Sequence, residues 1–108
     1  MTGTFASDDE IITLSHVTPK TGQKDRFVEI QTQFQQSVAP EIEGLTGGRF
    51  YAAENGKSFV IMSRFRSRKD LENWTGSERF AAHMARVRPL LEAAKPDRFT
   101  VLYQSGIV

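Results

Sequence analysis

The chain has 108 residues, 39% of them hydrophobic and 25% charged, which fits one soluble globular domain and excludes a disordered polypeptide. Its 14 basic and 13 acidic side chains leave a net charge of +1, so there is no general electrostatic drive towards nucleic acid or an anionic membrane. The absence of cysteine excludes a disulfide framework, a Cys-bound zinc, an iron–sulfur cluster and a thiol nucleophile.

The opening MTGTFASDDE has neither a basic n-region nor an apolar h-region, and no apolar run approaches the roughly 20 residues that span a bilayer. The expectation is a cytoplasmic protein with a flexible polar tail over residues 1–9 and a single domain over 10–108. Glu10 to Val17 alternates as a strand, with Ile12, Leu14 and His16 on one face and Ile11, Thr13, Ser15 and Val17 on the other. Pro19 is expected to break it, and Thr18 or Thr21 to cap the next helix. From Gly22 to about Val38 the period becomes helical, with Phe27, Ile30, Phe34 and Val38 as the apolar stripe and Lys24, Gln31, Gln35 and Gln36 as a solvated face. EIEGLTGG reads as a loop. Two strands follow, Arg49–Asn55 and Lys57–Arg66, around the hairpin signal Asn55-Gly56.

Ser67 followed three residues later by Asp70 resembles a capping box and starts a short helix that turns Leu71 and Trp74 inward. Gly76 can close that helix and Ser77 cap the next, expected from Glu78 to about Ala94 with Phe80, Met84, Val87 and Leu91 as its stripe and a bend at Pro89. DRFTVLYQSG reads as the last strand, with Phe99, Val101 and Tyr103 on one face. The order is strand, helix, strand, strand, helices, strand. This is the split βαβ pattern of an α+β, ferredoxin-like fold: a four-stranded antiparallel sheet with helices on one face. The uncovered face also carries apolar residues on several strands, so a second copy of the chain, sheet against sheet, is the expected cover.

The chain's single Trp, Trp74, and one of its two His, His83, fall in ENWTGSERFAAHMARV. On residue chemistry alone, Trp74 reads as a packing residue. His83 lies roughly 60° around the helix from Phe80, at the edge of the apolar stripe. It is the nearby group that titrates near neutrality, and hence a candidate proton acceptor. Its helical neighbours include Arg79 and Arg86, which favour the neutral imidazole. Arg64 and Arg66 could neutralise an anionic substrate, Tyr103 could hydrogen-bond a ligand, and His16 points by parity away from the helix side.

The segment FVIMSRFRSRKDLENWTGSERFAAHMARVRPLL, Phe59 to Leu91, resembles the antibiotic-biosynthesis monooxygenase superfamily, and the likeness extends from about Ile11 to Tyr103. The resemblance implies a homodimer whose two sheets close into an α/β barrel, with a pocket in each subunit between the sheet and its own helices. Some members oxygenate polycyclic aromatic or quinol substrates with O₂ and without metal or flavin, the substrate anion supplying the electron. Another branch binds and degrades haem, with a His on the iron and a Trp and a first-strand Asn completing the site. Trp74 and His83 match the family Trp and His; Thr13 or Ser15 takes the place of the Asn, which departs from the haem-degrading pattern. The resemblance thus implies His83 and Trp74 as catalytic residues, and Thr13, Ser15 and Phe80 as substrate-binding residues. The leading expectation is a monooxygenase for a small aromatic or quinol-like substrate, with no cofactor. The alternatives are a haem-degrading enzyme and a non-catalytic ligand-binding dimer of the same fold.

Overall fold

The structure, a computed structural model, describes residues 3–4 and 9–106. The expected N-terminal tail lies mostly outside the described residues; within it, β1 (Gly3–Thr4) pairs antiparallel with β6 (Gln104–Ser105). The main sheet is antiparallel, in the order β3-β4-β2-β5. Its strands are β2 (Ile11–Pro19), β3 (Leu45–Ala52), β4 (Phe59–Phe65) and β5 (Leu91–Phe99). Helices α1 (Lys24–Ser37), α2 (Arg68–Thr75) and α3 (Glu78–Val87) complete the ferredoxin-like α+β fold that the strand and helix periods predict.

The helix-facing parity on β2 is as expected: Ile11 and Val17 are each 2% exposed. Across the ladder they meet Phe65 and Phe59, which are also buried. Two apolar clusters result. One gathers Val17, Phe27, Ile30, Phe59 and Val87; the other gathers Ile11, Ile42, Phe65 and Leu71. Ser67 caps α2 by accepting the Asp70 N–H at 3.1 Å and donates its hydroxyl to Asp70 Oδ2 at 2.8 Å; the shorter acid thus meets the Ser67 hydroxyl rather than its backbone N–H, and only the first half of the expected capping box forms. Ser77 caps α3 by accepting the Phe80 N–H.

Several boundaries differ from expectation. β2 runs on through Pro19, with a register shift after Thr18, and neither Thr18 nor Thr21 caps α1. Gln23 precedes that helix and makes no side-chain capping bond. β3 begins at Leu45 rather than Arg49, so the Gly47-Gly48 pair is strand and not loop. Gly48 fits because a Cβ there would lie 3.0 Å from the Met62 carbonyl oxygen. In the hairpin only Gly56 takes positive φ; the Asn55 side chain instead accepts the Lys57 N–H at 2.8 Å. Pro89 ends α3 instead of bending it, through a 3₁₀ turn at Arg88–Leu90. The last long strand therefore starts at Leu91, earlier than its sequence suggests. β5 is an edge strand exposed along almost its whole length, so it carries no apolar alternation and tolerates Pro96.

Candidate functional site

Between the two apolar clusters the helix side of the sheet changes character. Thr13, Ser63 and Gly48 share one rung, and Ser15, Ile61 and Phe50 share the next. The small and polar residues of the first of these rungs leave the space that a Phe or Leu would fill. A cleft of about 280 Å³ opens over this part of the sheet. Its floor is Gly47, Gly48, Ile61 and Ser63; its sides are Gln31, Phe34 and Gln35 from α1, the Ala39–Pro40 turn, and Trp74 from α2. Trp74 also borders a second, smaller cleft of about 190 Å³ with Glu41, Asn73 and Arg79.

Aromatic rings connect three of the expected site residues. Phe80 meets Trp74 edge-on at 5.6 Å, Trp74 lies 5.9 Å from Phe34, and Phe34 stacks on His83 with ring centroids 3.8 Å apart. His83 is 7% exposed and sits behind this wall, outside the set of residues that line the cleft. Its Nε2 is 2.9 Å from Gln31 Oε1. With the amide oxygen turned to the ring, Nε2–H donates and Gln31 accepts. Burial first, and the Arg86 charge second, push the His83 pKa down to about 4. Arg79, the other expected neighbour, is instead paired with Glu41 at 3.5 Å.

Thr13 and Ser15 are half-buried on the helix side of β2 but do not line the cleft. Their cross-strand partners Ser63 and Ile61 do. The polar floor is thus one strand away from where the family pattern places it. Phe80 touches the site through Trp74 alone among the cleft-lining rings. Arg66 forks onto Asp70 at 3.0 and 3.1 Å and lies 3.8 Å from Glu43. Arg64 belongs by register to the sheet face away from the helices, as does the exposed His16. Tyr103 is 58% exposed.

Gln31 and Phe34 were not expected at the site. Gln31 is 3% exposed, which corrects its assignment to the solvated face of α1. The signal was present: Phe27, Ile30, Gln31 and Phe34 fall at i, i+3, i+4 and i+7, so the amide lies within the apolar stripe. A polar residue in such a stripe needs a buried partner, and His83 is that partner.

An α+β domain of ferredoxin-like topology, with a ligand-sized cleft between its sheet and its own helices, is the class that this fold and site define. The chain belongs to the antibiotic biosynthesis monooxygenase family, whose model matches residues 11–86. Its fold is similar to that of Rv0793 from Mycobacterium tuberculosis, at 17% identity and a TM-score of 0.80, covering 90% of this chain and 99% of that one. SnoaB from Streptomyces nogalater, a cofactor-independent oxygenase, superposes with a TM-score of 0.77 at 15% identity, over 86% of this chain and 93% of that one. PA3566 from Pseudomonas aeruginosa does so at 0.77 and 14%, over 90% and 98%. No curated protein matches the chain in sequence.

Proposed function

We propose that the protein is a monooxygenase that oxidises a small, flat aromatic or quinol-like substrate with O₂ in the cleft beside Trp74. The observation that carries this reading is the cleft itself. It joins the rings of Phe34 and Trp74 to a few convergent polar groups, and its volume lies just below the ~300–1,000 Å³ range of small-molecule sites. In the reaction class envisaged, a ring methylene loses a proton to solvent at the cleft mouth and the carbanion reduces O₂. One oxygen atom enters the product as a carbonyl and the other leaves in water, so CH₂ and O₂ become C=O and H₂O. The protein's part is to hold the ring against the wall that Trp74 and Phe34 form, to exclude water, and to hydrogen-bond the oxygen on which the anion's charge gathers. Family membership and the likeness to SnoaB support the oxygenase class.

The residues do not fit haem. An axial imidazole must turn a free ring nitrogen towards an open position. His83 is buried under Phe34, its Nε2 is engaged by Gln31, and its ring does not line the cleft.

A homodimer is part of the proposal. Ile12, Leu14, Val60 and Met62 form the centre of the sheet face that bears no helix, with Tyr51 and Phe99 more than 40% exposed at its sides. Sedimentation should give twice the 12.2 kDa of one chain; a monomer at micromolar concentration contradicts this part. The chemistry is tested by oxygen uptake with a panel of hydroquinones and anthrones in the presence of a chelator. Uptake above the protein-free rate, abolished in Trp74→Ala, is expected. No uptake across the panel, or a Soret shift and turnover with haemin instead, would reject the reading.

A further inference from the structure

Gln31 occupies an unusual position. It is buried on α1, it lines the cleft, and its side-chain oxygen is held by a histidine from α3. Among the described residues, its amide nitrogen has no hydrogen-bond partner in the protein. The other polar groups near the cleft differ. Gln35 is more open to solvent, the Thr46 hydroxyl already donates to the Arg64 carbonyl at 3.2 Å, and among the described residues no hydrogen bond fixes the direction of the Ser63 hydroxyl on the floor. An amide whose rotation is fixed by one buried bond presents its N–H groups in a set direction, at no further ordering cost when a ligand arrives.

We propose that Gln31 is the specificity-determining donor of the cleft: it recognises a carbonyl or phenolate oxygen on the edge of an aromatic ligand, and His83 is a positioning residue that acts through it. The inference rests on the proposed binding of a flat aromatic compound in the cleft, but not on oxygen chemistry. It recasts His83 as the partner that selects which end of the amide faces the ligand. With Nε2–H donating to Oε1, the amide nitrogen is left for the cleft. A ligand without an acceptor would leave that N–H buried and unpaired, so the cleft discriminates against bare hydrocarbons. In a deprotonated ligand the same N–H would meet the developing charge.

The test uses a matched pair of probes, 1-tetralone and tetralin, in which a carbonyl of the first replaces a methylene of the second. The readout is the indole N–H resonance of Trp74, which is the chain's single Trp and borders the cleft. The wild-type protein should bind tetralone about ten-fold more tightly than tetralin, the upper range for one neutral hydrogen bond. Gln31→Leu should remove that preference and leave tetralin affinity within about two-fold. Gln31→Glu keeps an acceptor for His83 but lacks the amide donor, so it too should lose the preference if Gln31→Leu folds poorly. His83→Leu should reduce the preference, and adding it to Gln31→Glu should change nothing more, the signature of a residue that acts through another. A tetralone preference that survives both Gln31 variants overturns the proposal, as does a wild-type protein that binds both probes equally. Binding of neither probe removes the cleft reading together with this one. An intact, Gln31-dependent preference without oxygen uptake on any substrate would remove the oxygenase reading and leave Gln31 in its role.

Discussion

The two halves of the core are built from similar parts and packed differently. Around Phe27, which is fully buried, rings from α1, β3 and β4 close on one another at 5.4–5.8 Å, with Val17, Ile30 and Val87 filling the remainder. Around Phe34, about two turns further along α1, the rings stand against Trp74 and His83, and the sheet opposite offers Gly47, Gly48 and Ser63. The first half gains its stability from tight packing. The second gives up that packing for an opening with a fixed polar group in its wall. Small residues on the sheet, rather than any large residue, decide which half opens into a cleft.

The sharpest break of this comparison is at the two Phe of α1. Phe27→Ala should cost about 3–5 kcal/mol, because it opens a new cavity in a filled core. Phe34→Ala enlarges a cleft that already exists and should cost less; urea denaturation of both variants measures the difference. Equal losses would mean that the second half is no looser than the first.

Acidification acts on the cleft half alone through His83. The fold favours the neutral ring, with its pKa lowered from 6.5 to about 4. Its stabilising contribution is therefore complete above pH 6.5. It is lost as the pH falls towards 4, where the unfolded chain takes up a proton that the folded one refuses, and it levels off below that. On the order of 3 kcal/mol should disappear across this window. Comparing urea midpoints at pH 7 and 4.5 for wild type and His83→Leu isolates the effect, which should be smaller in the variant.

Gly44 supports the turn beside the cleft at φ 82, and an added Cβ would collide with Cβ and Cγ of Asp70. Gly44→Ala should cost roughly 1–3 kcal/mol and should also weaken ligand binding, since Ile42 and Leu45 flank this turn and line the cleft. Thermal denaturation together with a tetralone titration reads both effects. Ser67→Ala, which removes the α2 cap, should cost about 1 kcal/mol. Its effect on the tetralone Kd should be smaller than that of Gly44→Ala.

The fold was legible because alternation and helical period mark most elements, and because Ser67 and Ser77 announce the helix starts. The elements that were misread lack such patterns for physical reasons. β5 is an exposed edge, so neither of its faces needs apolar residues. The first half of β3 holds a bulge followed by Gly47 and Gly48, which look like a loop. Of the candidate site, the inward turn of Trp74 was legible from its capped helix, but as packing; only the resemblance to the family put it at a pocket. Gln31 could have been read from its i+4 spacing to Phe27. The resemblance implied a pocket between sheet and helices, but not its floor, which depends on Ser63 and Gly48 coming level across two strands.

Filling that floor tests the account most directly. Ser63→Phe places a ring where the cleft opens, while Ile30→Val trims the filled half without touching the cleft lining. Oxygen uptake should be measured per folded molecule on whichever hydroquinone or anthrone the wild-type protein turns over. The account predicts that Ser63→Phe loses uptake and Ile30→Val keeps it. Uptake that persists in folded Ser63→Phe would contradict the assignment of this cleft as the site.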